Sequence, residues 1–516
     1  WSYTASYRVG ERQRPTRLGP FQAPMTLNAS SPQPDRRNLF RSDFYAVLAD
    51  RARNAAAVVG FLSQREQFGT AEASLGRNPS LRLYAAGDDA RLDPGAAMTT
   101  DWAVCALARL DADPLAVYLE AAARENNVRL PAEIPVGWCS WYHFYTKVTE
   151  ADVRQNLQAL VDLKDELPVD LLQIDDGYET MVGDWFTFKP TFPSGMQALA
   201  EEIKTAGLTP GIWQAPFIVH PKSKLAKEHP DWLLRTASGR PANAGFVWNA
   251  LCYALDLTNP DALAYAEKTV ATAVKEWGYP YLKIDFIYAA ALKGRYQDPT
   301  KTRAQVLRRG MERLRAAAGP DTFILACGAP LGSVLGLVEA NRIGADVSGS
   351  WAPAFFGLKW PFREEPNIPC ASLSIHNILT RAHLHRRWWL NDPDCLLVRP
   401  DTELTLAEVH SLATAIALTG GYLLLSDDLP KLPAERVEIA RALFPVLDQR
   451  PAVLDWLDAE TPARLRLNLE GPAGRWTLAA LFNWSDDPAP VTLNPADFGL
   501  AEGQTLYRSF WDGQAG

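Results

Sequence analysis

The sequence lacks the marks of several large classes of protein. Its six cysteines contain no CxxC pair and no metal-like spacing, so neither a zinc site nor a disulfide framework is indicated. We expect reduced thiols, most of them buried. No apolar run approaches the roughly 20 residues that a membrane helix needs, so we expect no membrane partner. The cysteines stand at positions 105, 139, 252, 327, 370 and 395.

The sequence also contains fewer basic than acidic residues. Lys and Arg number 52 against 60 Asp and Glu, which leaves a formal net charge of −8. Because nucleic acids and anionic lipid surfaces attract basic patches, and the basic residues are dispersed along this chain, we expect neither as a partner. The chain starts at Trp1 without a methionine or a signal peptide. We expect a cytoplasmic protein whose native N-terminus is not in view and whose first domain has lost residues; the oligomeric state stays open.

Three widespread catalytic motifs are absent as well: the GxSxG elbow, the P-loop and HExxH. Their absence argues against the commonest serine hydrolases, nucleotide hydrolases and zinc peptidases. Tryptophan, by contrast, is abundant, with 17 residues. Indole faces pack well on the apolar faces of sugar rings, although most of these side chains are expected in the core.

Residues 131–448 alternate between apolar strands, short loops and amphipathic helices. Eight such units predict an α/β fold, a (β/α)8 TIM barrel. An open doubly wound sheet is the second choice, but no GxGxxG follows any strand. The predicted strands cover residues 136–141, 170–175, 208–215, 280–286, 322–328, 340–346, 388–394 and 421–427.

Two β-rich regions flank the predicted barrel. Residues 1–130 contain strand-like stretches such as LRLYAA between Pro, Gly, Asn and Asp clusters, which predicts an N-terminal domain of β-sandwich type. Residues 449–516 contain RLRLNL, WTLAALFNW and TLYRSFW, which predict a small antiparallel C-terminal β domain. Within the barrel, Thr149 and Asp152 form a capping pair that opens a helix predicted over about 149–166.

The active site of a barrel lies at the carboxyl ends of the strands, so polar side chains there are considered first. Lys283 and Asp285 are two apart on one strand and are predicted to face the barrel interior. A cation beside Asp285 would favour the ionised carboxylate that a nucleophile requires. Arg342, four residues before Asp346, can turn into the same mouth. The other strand-end candidates are Trp141, Asp175, Asp176, Trp213, Cys327, Asp392 and Asp394.

Both carboxylates also have a structural interpretation. Lys283 and Asp285 could form a buried ion pair that stabilises the barrel, and Arg342 and Asp346 could form a loop salt bridge. The joint occurrence of two carboxylates on separate strand ends, each with a cation nearby in sequence, favours glycoside hydrolysis, in which one carboxylate works ionised and the other protonated.

Asp175 and Asp176 precede Gly177, where a bend would bring both carboxylates to a ligand and let them accept hydrogen bonds from sugar hydroxyls. A divalent-metal site is the alternative, but the further oxygen ligands of Mg²⁺ or Ca²⁺ are not identifiable, and we expect no metal and no cofactor. His383 and His385 have i, i+2 spacing on a predicted helix and are expected to be packing or surface residues rather than ligands.

Seven segments of the barrel together resemble the family 36 glycoside hydrolases, the α-galactosidases that share a clan with family 27. The segments occur in order between about residues 136 and 397 and cover the whole predicted catalytic barrel. The flanking regions match weakly beyond LGPFQAPM and FRSDFYAVL. The barrel segments are VGWCSWYHFY, LLQIDDGYE, GDWFTFKPTFPSGM, GIWQAPF, YLKIDF, RIGAD and WWLNDPDCLLVR.

This resemblance implies a retaining, exo-acting α-galactosidase. Such an enzyme hydrolyses terminal α-galactosyl residues of galacto-oligosaccharides, such as melibiose and raffinose, through a covalent glycosyl-enzyme intermediate. The Asp of KxD, here Asp285, would be the nucleophile. The Asp of RxxxD, here Asp346, would be the general acid/base.

The resemblance also implies which residues bind the sugar. Asp175 and Asp176 would hold O4 and O6. Lys283 would contact the hydroxyls near the nucleophile, and Arg342 and Cys327 would lie near O2. The residues that would shape the pocket are Trp141, Tyr142, Trp213 and, from the N-terminal domain, Trp1.

Three alternatives remain at this point. They are an α-N-acetylgalactosaminidase with more room at O2, a galactosyl transferase of the raffinose synthase kind, and a carbohydrate-binding protein without activity. The presence of both acids with their cationic companions argues against the last of these.

Overall fold

The computed structural model describes residue 9 and residues 37–354, 368–472, 474–500 and 507–515. Trp1, the opening WSYTASYR and the segment LGPFQAPM lie outside these residues. Among the described helices, none combines the length and the apolar character needed to cross a lipid bilayer.

Among the described residues before the barrel, six strands form two antiparallel sheets of three strands each. The strands are β1 (Leu39–Asp43), β2 (Tyr45–Asp50), β3 (Ala55–Phe61), β4 (Gly69–Ser74), β5 (Ser80–Ala85) and β6 (Ala103–Arg109). One sheet has the order β1-β4-β5 and the other β2-β3-β6. Helix α1 (Ala116–Glu125) follows, and its Tyr118 hydroxyl donates to the Phe61 carbonyl at 2.5 Å. The two sheets agree with a sandwich-type arrangement.

Eleven strands follow before residue 426 in the described ranges. They are β7 (Val136–Cys139), β8 (Leu171–Ile174), β9 (Thr209–Gln214), β10 (Ile218–Val219), β11 (Asn243–Val247), β12 (Ala250–Ala254), β13 (Tyr281–Ile284), β14 (Phe323–Ala326), β15 (Ala340–Arg342), β16 (Leu390–Asp392) and β17 (Leu423–Leu425). Strands β10, β11 and β12 form a separate small antiparallel sheet.

In the part of the chain that the structure describes, nine helices lie between or after these strands. They are α2 (Trp141–Phe144), α3 (Glu150–Asp162), α4 (Gly195–Thr205), α5 (Lys224–Glu228), α6 (Pro260–Ala271), α7 (Arg303–Ala318), α8 (Ala371–Thr380), α9 (Leu406–Leu418) and α10 (Ala434–Arg441).

The remaining eight strands form the barrel that the sequence predicts. Their order is β16-β15-β14-β13-β9-β8-β7-β17, and every neighbouring pair is parallel. The sheet closes on itself because the Tyr422 N–H donates to the Asn391 carbonyl at 3.1 Å and Leu396 forms a parallel bridge with Leu425. All eight carboxyl ends therefore meet at one mouth.

The predicted helix start at Thr149 is confirmed. The Thr149 side chain accepts from the Asp152 N–H and the Asp152 carboxylate accepts from the Thr149 N–H, which completes a capping box at α3. Val153, Leu157 and Leu160 are buried on one face of this helix. The helix ends at Asp162, before the predicted limit of 166, because residues 163–166 continue as turns.

The predicted helix at His383 and His385 is wrong. Helix α8 ends at Thr380, His383 lies in a 3-10 turn over Ala382–Leu384, and His385 follows this turn. His385 is fully buried and contacts Asp448 at 3.2 Å, while His383 lies 3.0 Å from the Tyr45 hydroxyl. Both are packing residues.

The C-terminal region contains a three-stranded antiparallel sheet, and two of its strands correspond to the predicted segments RLRLNL and WTLAALFNW. The described part of the third predicted segment, residues 507–511 of TLYRSFW, is not a strand. The strands of the sheet are β18 (Ala452–Val453), β19 (Arg464–Gly471) and β20 (Gly474–Leu481), in the order β18-β19-β20. The limits of the three domains stay predictions.

Candidate active site

The structure brings all the described candidate residues to the carboxyl edge of the barrel sheet. Trp1 lies outside the described residues. Each of the others ends a barrel strand or follows it within a few positions. They are Trp141 and Tyr142 after β7, Asp175 and Asp176 after β8, Trp213 in β9, Lys283 and Asp285 at β13, Cys327 after β14, Arg342 and Asp346 at β15, and Asp392 and Asp394 at β16.

The Asp285 carboxylate lies at the end of β13 and accepts two hydrogen bonds. The Trp213 indole N–H donates to its Oδ2 at 3.1 Å, and the Phe286 backbone N–H donates to its Oδ1 at 2.6 Å. Phe286 has a left-handed backbone, with φ of 52°, which turns the chain directly after the carboxylate. Two fixed donors thus hold Asp285, which remains partly open to the mouth.

Lys283 faces the barrel interior, as its spacing from Asp285 predicts. Its ammonium group binds Asp175 Oδ2 at 2.9 Å, on the strand-end two places away in the sheet, rather than the Asp285 carboxylate that sequence proximity suggested. Burial opposes the charged form of Lys283, but the Asp175 carboxylate outweighs it and raises the pKa of the ammonium well above its usual value. Lys283 therefore stays charged.

Asp175 and Asp176 both turn into the mouth because the chain bends at Gly177, where φ is +131°. Asp175 Oδ2 also accepts from the Gln173 amide at 2.7 Å. Asp176 Oδ2 accepts from the Trp248 indole N–H at 2.5 Å. Burial raises the pKa of Asp176 to about 6, against the hydrogen bonds with Glu179 and Trp248, which lower it.

Arg342 is the centre of the second charged cluster. Its guanidinium binds Asp346 at 3.0 Å, Asp392 at 2.8 Å and Asp394 at 2.9 Å, and only 2% of its side chain is exposed. The Asp392 and Asp394 carboxylates are fully buried, whereas 37% of the Asp346 side chain is exposed at the mouth. Three carboxylates thus share one cation, and Asp346 is the member that a ligand can reach.

Asp346 differs sharply from Asp285 in its surroundings. Burial, followed by the charge of Asp394, raises the pKa of the Asp346 carboxyl to about 7, and the Asp285 charge acts in the same direction. Arg342 and Lys283 oppose this rise. A carboxyl with such a pKa can both give and take a proton near neutral pH.

Cys327 and the aromatic residues complete the wall. Burial raises the pKa of the Cys327 thiol well above its usual value, with the Asp285 charge in support, so the thiol stays neutral. The Tyr142 hydroxyl donates to Asp394 Oδ2. The Trp141 ring meets the Tyr145 ring edge to face, with the centroids 5.3 Å apart.

Sequence reasoning missed two members of the site, Trp248 and Glu179. Trp248 lies in the two-residue turn between β11 and β12, where Trp248 and Asn249 have φ of 51° and 57°. Such a turn is typical of tight hairpins. It brings the Trp248 ring within 6.3 Å of the Trp213 ring and 5.1 Å of the Phe286 ring. The short, largely apolar stretches on either side of the Trp-Asn pair were the available signal for this hairpin.

Glu179 is buried beside Asp176 and forms a side-chain hydrogen bond with it. Burial and the Asp176 charge raise the pKa of Glu179 well above its usual value, which favours a Glu179 carboxyl that keeps its proton and donates a hydrogen bond to Asp176. Nothing in the segment IDDGYE distinguishes such an acid from an exposed one. Within the described ranges, no group of three or more His, Cys, Asp and Glu side chains is placed to hold a metal ion.

Comparison with known proteins gives a consistent result. The melibiase family model matches residues 132–309. The α-galactosidase AgaA of Geobacillus stearothermophilus is 27% identical over 237 residues, which is 44% of this chain and 30% of that protein. The α-galactosidase of Escherichia coli is 26% identical over 192 residues, which is 35% of this chain and 26% of that protein. The aligned regions thus span about a quarter to a third of these two relatives.

A solved structure extends the similarity beyond the barrel. TtGalA, an α-galactosidase from Thermus thermophilus in complex with p-nitrophenyl α-D-galactopyranoside, superposes with a TM-score of 0.70 at 29% identity, over 90% of this chain and 86% of that one. A second structure of the same protein, in complex with stachyose, also has a TM-score of 0.70. The family model, the curated relatives and this shared fold support the resemblance of the chain to the family 36 glycoside hydrolases, the α-galactosidase family.

Proposed function

We propose that the protein is a retaining, exo-acting α-galactosidase that hydrolyses terminal α-galactosyl residues of galacto-oligosaccharides. One observation carries the proposal. Two carboxylates at one mouth have opposite environments, because fixed donors hold Asp285 as an acceptor while burial and neighbouring charge let Asp346 keep a proton near pH 7. Retaining glycoside hydrolysis needs this division of roles.

In the first step, Asp285 attacks the anomeric carbon from the β face of the sugar. Asp346 donates its proton to the glycosidic oxygen, and the bond to the leaving group breaks. The donors Trp213 and Phe286 orient the Asp285 carboxylate toward the attack. The product of this step is a β-linked galactosyl ester of Asp285 and a free leaving alcohol.

In the second step, Asp346 is ionised and takes a proton from a water molecule. The water oxygen attacks the anomeric carbon from the α face and releases the Asp285 carboxylate. Galactose leaves with the α configuration, and Asp346 holds a proton again. A single carboxyl serves both steps because its pKa of about 7 makes both proton transfers accessible.

The buried charges opposite Asp346 suit the recognition of a terminal sugar. Asp175, Asp176 and Lys283 are each no more than 4% exposed, so their hydrogen bonds to hydroxyls would form away from bulk water. Their burial favours a site that takes the terminal sugar of a chain, which is the basis for proposing exo action. By the family resemblance, the O4 and O6 hydroxyls of galactose would meet Asp175 and Asp176.

The similarity to TtGalA supports the same substrate class. That protein is bound to an aryl α-galactoside in one structure and to stachyose in another. A neutral oligosaccharide also suits a chain with a net charge of −8 and a mouth in which carboxylates outnumber cations.

The test is turnover of aryl α-galactoside followed by proton NMR, beside the matching α-glucoside and α-N-acetylgalactosaminide. Release of α-galactose before mutarotation, from the galactoside alone, is the expected result. Initial β-galactose would contradict retention. Preference for the N-acetylated substrate would indicate an α-N-acetylgalactosaminidase instead. Transfer of galactose to added sucrose in preference to water would indicate a galactosyl transferase.

A further inference from the structure

Asp394 is the most constrained carboxylate at the mouth, and the two steps above give it no contact with the sugar. Its side chain is fully buried, and its backbone has φ of +79°. Aspartate adopts this left-handed region at a cost, and such strain persists only where the surroundings hold the residue in place. The contacts of Asp394 therefore indicate the role of this residue.

Four donors surround the Asp394 carboxylate. Oδ2 accepts from the Val347 backbone N–H at 2.8 Å and from the Tyr142 hydroxyl. Oδ1 lies 2.9 Å from Arg342 Nη2 and accepts from the Cys395 backbone N–H at 2.8 Å. Burial raises the pKa of Asp394, while Arg342 lowers it. Four hydrogen bonds to the charged form favour an ionised carboxylate at neutral pH.

Two of these donors lead directly to Asp346. Val347 is the next residue in the chain, so its hydrogen bond fixes the peptide group that follows Asp346. Arg342 binds Asp346 Oδ1 through Nη1 and Asp394 Oδ1 through Nη2. Asp394 therefore contacts both the backbone next to Asp346 and Arg342, the cation that pairs with the Asp346 carboxylate.

We propose that Asp394 is the positioning residue of the acid/base Asp346. Asp394 holds the chain at Asp346 and binds Arg342, which would otherwise act more strongly on Asp346. Asp346 thereby keeps the proton that the leaving group needs. The inference rests on the proposed function for the role of that proton. Asp394 acts through Asp346 and does not touch the reacting atoms.

The charged groups around the pair determine the direction of the effect. Asp394 and Asp285 raise the pKa of Asp346, whereas Arg342 and Lys283 lower it. Asp394 itself faces Arg342, Asp392, Lys283 and Tyr142. Removal of the Asp394 charge takes away one negative neighbour and frees Arg342 to act more strongly on Asp346. Both changes make Asp346 lose its proton at lower pH.

The test is Asp394→Asn, which is nearly isosteric and tolerates the left-handed backbone. We expect the basic limb of the kcat/KM profile to move to lower pH by about one unit. Melibiose has a poor leaving group, whereas 2,4-dinitrophenyl α-galactoside needs little acid assistance. We expect the activity toward melibiose to fall about tenfold further than the activity toward the aryl substrate.

Asp88→Asn is the matched control. Asp88 also has a left-handed backbone, with φ of 55°, and binds Arg303 Nε at 2.7 Å and the Arg303 backbone N–H at 3.0 Å. Its side chain is 5% exposed. The same chemical change there should leave both the basic limb and the ratio of the two activities unchanged.

A substrate-free measurement separates this inference from the proposed function. In ¹³C NMR titrations of labelled aspartate carboxyls, with Asp346 assigned through Asp346→Asn, the Asp346 signal should titrate at lower pH in Asp394→Asn. An unmoved Asp346 titration, or an equal loss toward both substrates with an unmoved limb, would overturn the positioning role. A wild-type protein without activity on any α-galactoside would contradict the function and leave the titration result standing.

If Asp394→Asn does not fold, Asp394→Glu provides the test. It keeps the charge but displaces the carboxylate from the Val347 N–H. The basic limb should then stay in place while the poor-leaving-group substrate loses more activity than the aryl substrate. Equal losses toward the two substrates would contradict the positioning role.

Discussion

Two buried arginines of this protein differ in what surrounds them. Arg303, at the start of α7, binds Asp88 from the N-terminal region, and each side chain of the pair is 5% exposed. Arg342, at the end of β15, binds three carboxylates, and one of them, Asp346, has 37% of its side chain exposed at the mouth. The first pair is enclosed, whereas the second cluster carries surplus negative charge at the barrel mouth.

The difference explains what each region does. An enclosed ion pair that also fixes a backbone N–H holds two parts of the chain together. A cluster in which carboxylates outnumber the cation cannot satisfy each of them equally, so one carboxyl retains a proton more readily. At Asp346, burial raises the pKa of the carboxyl to about 7, and the negative charges of Asp394 and Asp285 act in the same direction. The four predictions below test this contrast.

The largest effect is expected at the nucleophile. Asp285→Gly should lower kcat with aryl α-galactosides by about 10⁴-fold or more, because no covalent intermediate can form. Added azide should restore turnover and give β-galactosyl azide, which NMR identifies. An α-azide product would exchange the roles of Asp285 and Asp346.

The second effect concerns the exposed carboxyl of the Arg342 cluster. In the wild type, kcat/KM should fall as the pH rises through about 7, since Asp346 must hold a proton to act as the acid. Asp346→Ala should remove this basic limb and lower the activity toward melibiose by roughly 10²- to 10⁴-fold. If the basic limb of the kcat/KM profile persists in Asp346→Ala, another group is responsible for it.

A smaller effect is expected at the hairpin. Trp248→Phe keeps an aromatic ring beside Trp213 and Phe286 but removes the N–H that donates to Asp176. We expect about a tenfold rise in KM with a smaller change in kcat, the size of one hydrogen bond to a charged group. Trp476→Phe, on the exposed face of β20, is the control and should change neither constant.

The smallest effect on activity is expected at the enclosed pair. Asp88→Asn should lower the free energy of unfolding by about 1–3 kcal/mol, because it weakens a buried ion pair, while kcat/KM stays at the wild-type value. Chemical denaturation and steady-state kinetics on the same preparation measure both. A loss of activity without a loss of stability would remove the contrast between the two arginines.

Much of the barrel could be predicted because its strands are short apolar runs with a polar residue at the end. The eight predicted segments correspond in order to the eight strands, and Lys283 turns inward as the two-residue period of a strand requires. Strand ends were predicted too long, for example at Asp346, since residues 343–346 after β15 continue as an irregular loop.

Partners across the barrel could not be predicted from the sequence. Lys283 is two positions from Asp285 along the chain, yet its ammonium group binds Asp175, 108 positions away. Trp248 reaches Asp176 from a hairpin 72 positions downstream. Closure of the barrel decides such pairs, and no local pattern encodes them.

The sequence by itself determined the alternation of strands and helices, the polar residues at the strand ends and the family that the chain resembles, because periodicity and short motifs are local properties. Only the tertiary structure decided which carboxylates share a cation and which one stays open to the mouth. These features depend on distances between separate strands and on exclusion of water, and both arise only when the barrel closes.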